Sequence, residues 1–322
     1  MPLSTTTLPA QARRVLLCTN PKAGAGGRGE LAQSLARRLS EAGYQAEVIC
    51  DLDRVAAEAN RLQAAGELRA LVSLGGDGTA AELVNRTMPG VPVAVFPVGT
   101  ENLLARHLGM EANAESLCHA IASGEVLQAD AGRANGRIFL LMLGCGFDAE
   151  VVHQLSATRT GHIRRWTYAK PILAAARSYR YPSVRVTEPP PGGDQLAASH
   201  EACWAFLFNL PCYAGGLGLA PHADGGDGAL DLCTFARGSF WHGLWYLGGV
   251  LTGMHRRMPD FKTRPVQRVR LEADERVPYQ LDGDPGGCLP VEVETLPGRL
   301  TLFASPARLA ALRCPAAHGQ SA

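Results

Sequence analysis

Residues 75–79 of the chain read Gly-Gly-Asp-Gly-Thr, and a carboxylate set among glycines is the feature with the most chemistry in it. Glycines lack the Cβ atoms that hold a backbone away from a polyphosphate, and they permit the positive φ values of a tight turn. Asp77 beside a bound polyphosphate would be repelled, unless Mg²⁺ bridges the two or the acid takes a proton from an attacking hydroxyl. The apolar run that precedes the turn, from Leu71, reads as a buried strand. The segment Ala80 to Arg86 reads as a helix whose first amides face the anion, with Thr79 as its cap. A glycine turn after a strand also has a plain structural reading; the acid adds the chemical one.

The elements that must position this turn repeat one pattern. Val15 to Thr19 is a short strand, followed by Asn20 to Gly29, a glycine loop with Lys22 and Arg28 in reach of phosphates, and a helix from about Glu30 to Ala42. The spacing matches neither GxxxxGK[ST] nor GxGxxG. Gln45 to Cys50 and Leu52 to Ala65 form the next strand and helix. Val91 to Phe96 is a further strand, ending at Pro97-Val98-Gly99-Thr100-Glu101-Asn102 before the helix Leu103 to Leu108. Parallel doubly wound sheets collect ligands at the carboxyl ends of their strands, so these glycine loops are expected to converge on one nucleotide.

After a helix around Ala114 to Ser123 the alternation stops. From Asp130 onward short β-rich runs follow, at Ile138 to Leu143, Val184 to Thr187, Ala202 to Phe208, Leu230 to Thr234, Val266 to Leu271, Val277 to Leu281, Val291 to Glu294 and Leu300 to Phe303. They predict a mainly antiparallel sandwich or barrel, interrupted by helices at His162 to Tyr179 and Phe240 to Met258. The expected organisation is an α/β nucleotide-binding domain at 1–130, a β-sandwich at 131–303, and a terminal segment, 304–314, that rejoins the first domain.

Composition narrows the function classes. With 322 residues, 46% hydrophobic, 19% charged and a net charge of +1, there is no basic field to point to nucleic acid. Nine cysteines, odd in number and without a CxxC pair, favour reduced thiols in a cytoplasm over disulfides or zinc. The N-terminus has no apolar core of a signal peptide. The window Phe240 to Met254 is interrupted by glycines and is shorter than the roughly 20 residues a membrane span needs. Its Trp241, Trp245 and Tyr246 read as core, or as the lining of a lipid cavity.

Seven stretches occur in a fixed order: NPKAGAGGRG, SLGGDGTAAELVN, PVGTENLLAR, GCGFDAEVV, NLPCYAGGLGLAP, DGGDGALDL and LDGDP. Together, over about residues 15 to 305, they resemble the diacylglycerol kinase catalytic family, which includes bacterial lipid kinases, sphingosine kinases and ceramide kinases. GGDGT alone is shared with NAD kinases and, as a variant, with phosphofructokinases; the ordered set is far more specific. The resemblance implies an NAD kinase- and phosphofructokinase-like nucleotide domain, a C-terminal β-sandwich that holds a lipid, and transfer of the γ-phosphoryl group of ATP to a lipid hydroxyl in the cleft between them. It places Asn20, Gly24, Gly75, Gly76, Asp77, Gly78, Thr79, Glu82, Asn85, Gly99, Thr100 and Asn102 on nucleotide-binding motifs. Asp282 falls on the position of the general base, with Asp77 as the rival base or a ligand of Mg²⁺. On residue type alone, Asp282-Gly283 reads first as a hairpin turn, and only the resemblance reverses that.

Some positions depart from the family pattern. LDGE becomes Leu281-Asp282-Gly283-Asp284, so Asp284, which the resemblance makes a candidate ligand of Mg²⁺, is one methylene shorter in its reach to metal or phosphate, and GTxND becomes Gly99-Thr100-Glu101-Asn102-Leu103. The DDG turn of a structural Mg²⁺ site becomes Gly226-Asp227-Gly228, with Asp224, Asp227 and Asp231 as oxygen donors. Asp148 matches a position that holds the lipid headgroup in some sphingosine kinases, and also reads as a solvated aspartate at a helix start. Arg164, Arg165 and Trp166, within a basic and aromatic stretch, suit an anionic membrane surface, so the expected place is the cytoplasm, at the inner face of the membrane. Self-association as a homodimer stays open. A soluble-substrate kinase of the NAD kinase type and a catalytically silent nucleotide- and lipid-binding module are the alternatives to a lipid kinase.

Overall fold

The computed structural model describes residues 3–19, 28–157, 179–189, 198–213 and 216–313. The chain divides into two compact units, Met1–Ala129 with Gly298–Ala322, and Asp130–Pro297.

The first unit is built from β1 (Ser4–Thr7), β2 (Arg14–Thr19), α1 (Arg28–Glu41), β3 (Gln45–Ile49), α2 (Leu52–Ala64), β4 (Leu68–Gly75), α3 (Asp77–Arg86), β5 (Pro92–Pro97), α4 (Leu103–His107), α5 (Ala114–Ser123) and the start of β6 (Glu125–Ala134). Its sheet runs β3-β2-β4-β5, and every pair is parallel. All eight residues of β4 are buried, which is why this strand reads as an unbroken apolar run rather than an alternation. Helices that return each strand to the same edge leave the carboxyl ends of β4 and β5 side by side, so the Gly75 and Pro97 loops emerge as neighbours. Arg69 is buried in β4 and donates to Ile121 O and Ala122 O at 2.8 Å each, which satisfies carbonyls at the end of α5.

The second unit contains the end of β6, β7 (Arg137–Phe139), β8 (Met142–Cys145), α6 (Phe147–Ala157), β9 (Val184–Glu188), β10 (Ala198–Ala202), β11 (Trp204–Phe208), β12 (Leu230–Phe235), α7 (Phe240–Leu251), β13 (Phe261–Val266), β14 (Arg268–Glu272), β15 (Pro278–Leu281), β16 (Asp284–Cys288) and most of β17 (Val291–Phe303). One antiparallel sheet has the order β13-β12-β11-β8-β15-β16; a second sets β10, β9, β14 and the first residues of β17 antiparallel to one another. Their inner faces share a core that includes Phe139, Leu143, Val186, Leu207, Leu271 and Val293. The end of β17, at Thr301 and Leu302, lies parallel to β5 in the first unit, and α8 (Pro306–Arg313) follows it.

The strands differ from the sequence expectation because apolar runs do not mark where a backbone changes pairing partner. The run 138–143 is two strands broken at Leu140-Leu141, 202–208 is divided at Cys203, and the runs at 291–294 and 300–303 are one strand of 13 residues. The strand at 125–134 was not expected. No helix among the described residues is long and apolar enough to cross a membrane. The eight described cysteines are all free, and burial pushes the Cys18 and Cys233 thiols up to about 12.

Candidate active site

In the first unit the helix after β4 starts at Asp77, three residues earlier than the Ala80 its apolar pattern suggests. Gly76 is the N-cap, Asp77 opens α3, and Thr79 is not a cap: it sits buried in the first turn with its N–H bonded to Gly76 O at 3.1 Å. Asp77 is thereby held at the positive end of its own helix. Its carboxylate also reaches a second helix start, accepting from Leu103 N and Leu104 N at 2.9 Å each. It does for α4 what Asn102 cannot do, because Asn102 is left-handed (φ 50°) and folds back on Gly99, accepting from Gly99 N at 3.0 Å and donating to Gly99 O at 2.9 Å. Burial holds the Asp77 carboxyl above the ordinary carboxylate value; the amide bonds from Leu104 and Leu103 pull it down, and Glu101 adds to the rise.

The two glycine loops touch backbone to backbone. A Cβ on Gly99 would lie 2.6 Å from Gly76 Cα, and Val98 N donates to Gly75 O at 3.2 Å. Gly75 faces Thr79 so closely that a Cβ there would collide with its side chain. Gly75, Gly76, Asp77, Gly78, Thr79, Gly99, Thr100 and Asn102 are therefore one assembly. Part of the glycine content serves loop packing as well as phosphate approach. Glu82 and Asn85 lie farther along α3, roughly 8 and 12 Å from Asp77 along the axis. Glu82 pairs with Arg86, and Asn85 donates to Ala81 O at 2.9 Å. Asn20, Lys22, Gly24 and the Arg28 side chain lie outside the described residues, as do Arg164, Arg165 and Trp166.

In the second unit Asp282 and Gly283 form the two-residue turn between β15 and β16, both at positive φ (52° and 86°), which is the geometry Asp-Gly favours in a hairpin. The Asp282 carboxylate accepts three backbone amides from the break between β7 and β8: Leu140 N at 2.7 Å, Leu141 N at 2.8 Å and Met142 N at 3.0 Å. Gln280 links this turn to Asp148. Its Oε1 accepts from Gly283 N at 2.8 Å, and its Nε2 donates to Asp148 Oδ2 at 3.0 Å. Tyr213 donates its hydroxyl to Asp148 Oδ1 at 2.6 Å. A Cβ on Gly144 would stand 2.8 Å from Gln280 Nε2, so this glycine makes room for the network. Asp148 is thus no solvated helix-start residue: burial raises its carboxyl, opposed by the Tyr213 and Gln280 bonds. Tyr213 and Gln280 were not singled out from sequence, although both stand in the quoted stretches or directly before them.

Among the acids proposed for metal, Asp231 is pushed up by burial and by Asp227 and Asp224, with His222 opposing. Asp227 accepts from Ala229 N at 3.0 Å. Among the described residues no three or more His, Cys, Asp or Glu side chains are grouped to hold a metal ion by themselves. A magnesium ion carried on a triphosphate asks for less, one or two carboxylates with the phosphates supplying the rest, and Asp77 on a phosphate-ready helix start is a donor of the right kind.

A profile for the diacylglycerol kinase catalytic domain matches residues 14–134, and one for the YegS C-terminal NAD kinase beta sandwich-like domain matches residues 142–304. The diacylglycerol kinase of Bacillus subtilis is 28% identical over 277 residues, 83% of this chain and 88% of that protein. The diacylglycerol kinase of Mycobacterium tuberculosis is 27% identical over 301 residues, 90% and 94% of the two. A diacylglycerol kinase structure from Bacillus anthracis superposes with a TM-score of 0.61 at 20% identity, over 92% of this chain and 98% of that one. Yeast NADH kinase shares the fold at a TM-score of 0.54 and 13% identity, covering 99% and 95%. With both domain profiles matched in order, this chain belongs to the diacylglycerol kinase catalytic family, phosphotransferases that act on an alcohol acceptor.

Proposed function

We propose that the chain transfers the γ-phosphoryl group of ATP, taken up as its magnesium complex, to the hydroxyl of diacylglycerol or a related lipid alcohol. The observation that carries this reading is the meeting of two helix starts at Asp77, on the carboxyl edge of a parallel sheet, with a glycine on each loop at the point of contact. The Leu103 and Leu104 amides of α4 are taken by Asp77, which fixes the two loops together; the glycine backbone at the start of α3 is then what offers oriented N–H groups and a positive dipole end to phosphate oxygens, with no reorganisation needed when charge moves onto them. Magnesium, when bound, neutralises phosphate charge, and Asp77 is the residue that would hold it. Asp282 is assigned as the base for the acceptor hydroxyl: three amides orient its carboxylate, and a positioned carboxylate can accept the proton as the phosphoryl group moves. Asp148, with Tyr213 and Gln280, offers acceptors and donors to a polar lipid headgroup. On this reading the enzyme works where ATP meets lipid, at the cytoplasmic face of a membrane.

The test is incubation of purified protein with labelled ATP and mixed micelles of diacylglycerol, monoacylglycerol, sphingoid base, ceramide or phosphatidylglycerol. Labelled product in the organic phase is expected with one of them, and its identity names the acceptor. No labelled lipid in any micelle overturns the reading. NAD phosphorylated without lipid would then point to an NAD kinase-type activity, and ATP binding without any transfer to a regulatory module.

A further inference from the structure

Helix α7 turns its apolar side outward. Phe240, Trp241, Leu244, Trp245, Leu247 and Leu251 are all exposed, Trp241 at 75%, Trp245 at 65% and Leu251 at 66%. At about 3.6 residues per turn, Phe240, Leu244, Leu247 and Leu251 make one stripe and the two tryptophans the next, so the exposed residues form one continuous face. The opposite face fixes the helix on its own unit. Tyr246 is buried with its ring stacked on Phe235 at 4.4 Å and its hydroxyl accepting from Arg237 N at 3.3 Å. Gly249 lies where a Cβ would come within 3.3 Å of His255 Cα. Ser239 caps the start through His242 N at 3.1 Å. Small and polar residues are thus inside and large apolar ones outside, the reverse of a helix that covers a core. A continuous apolar face of this kind marks a contact with something else.

Charge selects the occupant. Between Asp231 and Asp260 the chain has no Asp or Glu, while Arg237 precedes the helix, and Arg256, Arg257 and Lys262 follow it, all exposed. Asp260 pairs with Arg237 at 3.4 Å and accepts from the Tyr246 hydroxyl at 3.4 Å, so its charge is already engaged at the start of the helix. Two copies of this patch set face to face would bring their cations together without carboxylates to match them. An anionic lipid surface supplies what the patch lacks, apolar tails for the face and negative headgroups for its flanks. Twelve residues of helix span roughly 18 Å, short of a bilayer core of about 30 Å, so the helix lies in the interface, with its tryptophans at headgroup depth.

We infer that α7, flanked by Arg237, Arg256, Arg257 and Lys262, docks this chain flat on an anionic bilayer. In sequence this helix is separate from the stretch at Arg164, Arg165 and Trp166. Its purpose rests on the lipid-kinase reading, but its measurement does not. Full-length protein is mixed with vesicles of phosphatidylcholine alone or with phosphatidylglycerol, and binding is followed by co-sedimentation and by tryptophan emission. Binding to the anionic vesicles with a blue shift is expected, weakening with salt. The double variant Leu244→Glu/Leu251→Glu is expected to bind about tenfold or more weakly with its melting temperature unchanged. Arg256→Ala/Arg257→Ala is expected to lose the preference for phosphatidylglycerol. Undiminished binding of the Leu244→Glu/Leu251→Glu variant overturns the inference. So does a wild-type dimer that this variant converts to monomers without either form binding vesicles, which would assign the face to a second copy. If the wild type transfers phosphate to no lipid yet binds vesicles through α7, the kinase reading fails and the docking surface stands. If transfer to a lipid in detergent micelles is intact while vesicle binding ignores α7, the reverse holds.

Discussion

Asp77 and Asp282 are the same device built twice. Each is an aspartate beside a glycine in a turn, and each uses its carboxylate to bind backbone amides of a segment distant in sequence. Asp77 takes two amides, from the start of α4, and Asp282 three, from the break between β7 and β8. They differ in what surrounds the charge. Asp77 is the first residue of a helix, and burial prevails over its amide bonds, so its carboxyl stays above the ordinary value. Asp282 sits at the tip of a hairpin, left-handed, where the carboxylate is part of what holds the turn. The lesson is that a motif acid can be structural and reactive at once. Substitution therefore has to be read by two measurements, turnover and stability.

The largest expected effect is at Asp282. Asp282→Asn places an NH₂ group against one of three N–H donors, so a loss of about 1–3 kcal/mol in stability is expected along with a fall in kcat of roughly 10²- to 10⁴-fold. Denaturant unfolding and steady-state kinetics on one preparation separate the two. Next is Gly99→Ala, whose methyl has Gly76 Cα and Asn102 Oδ1 within 2.7 Å. A loss of about 1–3 kcal/mol, together with weaker ATP binding by calorimetry, is expected as the two loops are pried apart. Wild-type ATP affinity in this variant would mean that the loops do not share the nucleotide.

Asp77→Asn sharpens the contrast. It too sets an NH₂ group against an amide, but it removes a charge that burial disfavours, so its stability loss is expected to be smaller than that of Asp282→Asn, with the main effect a raised KM for Mg·ATP. The reverse pattern, Asp77→Asn abolishing kcat with binding unchanged while Asp282→Asn raises only the KM, would make Asp77 the base. A milder effect is expected at Asp148. Because its folded carboxyl is raised, the folded protein holds that proton to higher pH, and the stability this contributes is present below the ordinary carboxylate value and lost as pH rises through the raised one. Asp148→Asn should flatten the melting temperature against pH over that window. Smallest is Asp284→Glu, which restores the common family residue at a half-buried position; activity equal to the wild type or modestly higher is expected in the same assay.

The glycine loops, the strand and helix alternation of the first unit and the acids of both turns were legible in the sequence, because those signals are local. Glycine marks where a backbone must come close, and an all-buried parallel strand such as β4 is apolar at every position. The Asp-Gly hairpin was also legible, since two adjacent residues carry its whole geometry. What holds those acids was not. Their amide partners are backbone groups 26 and 142 residues away, and a peptide N–H leaves no mark in side-chain identity. Nor could helical spacing say which way α7 faces. Periodicity shows that apolar residues share a side, and only the tertiary structure decides whether that side meets a core or water. Here Gly243, Gly249 and Tyr246 fit against the unit and leave the tryptophans outside.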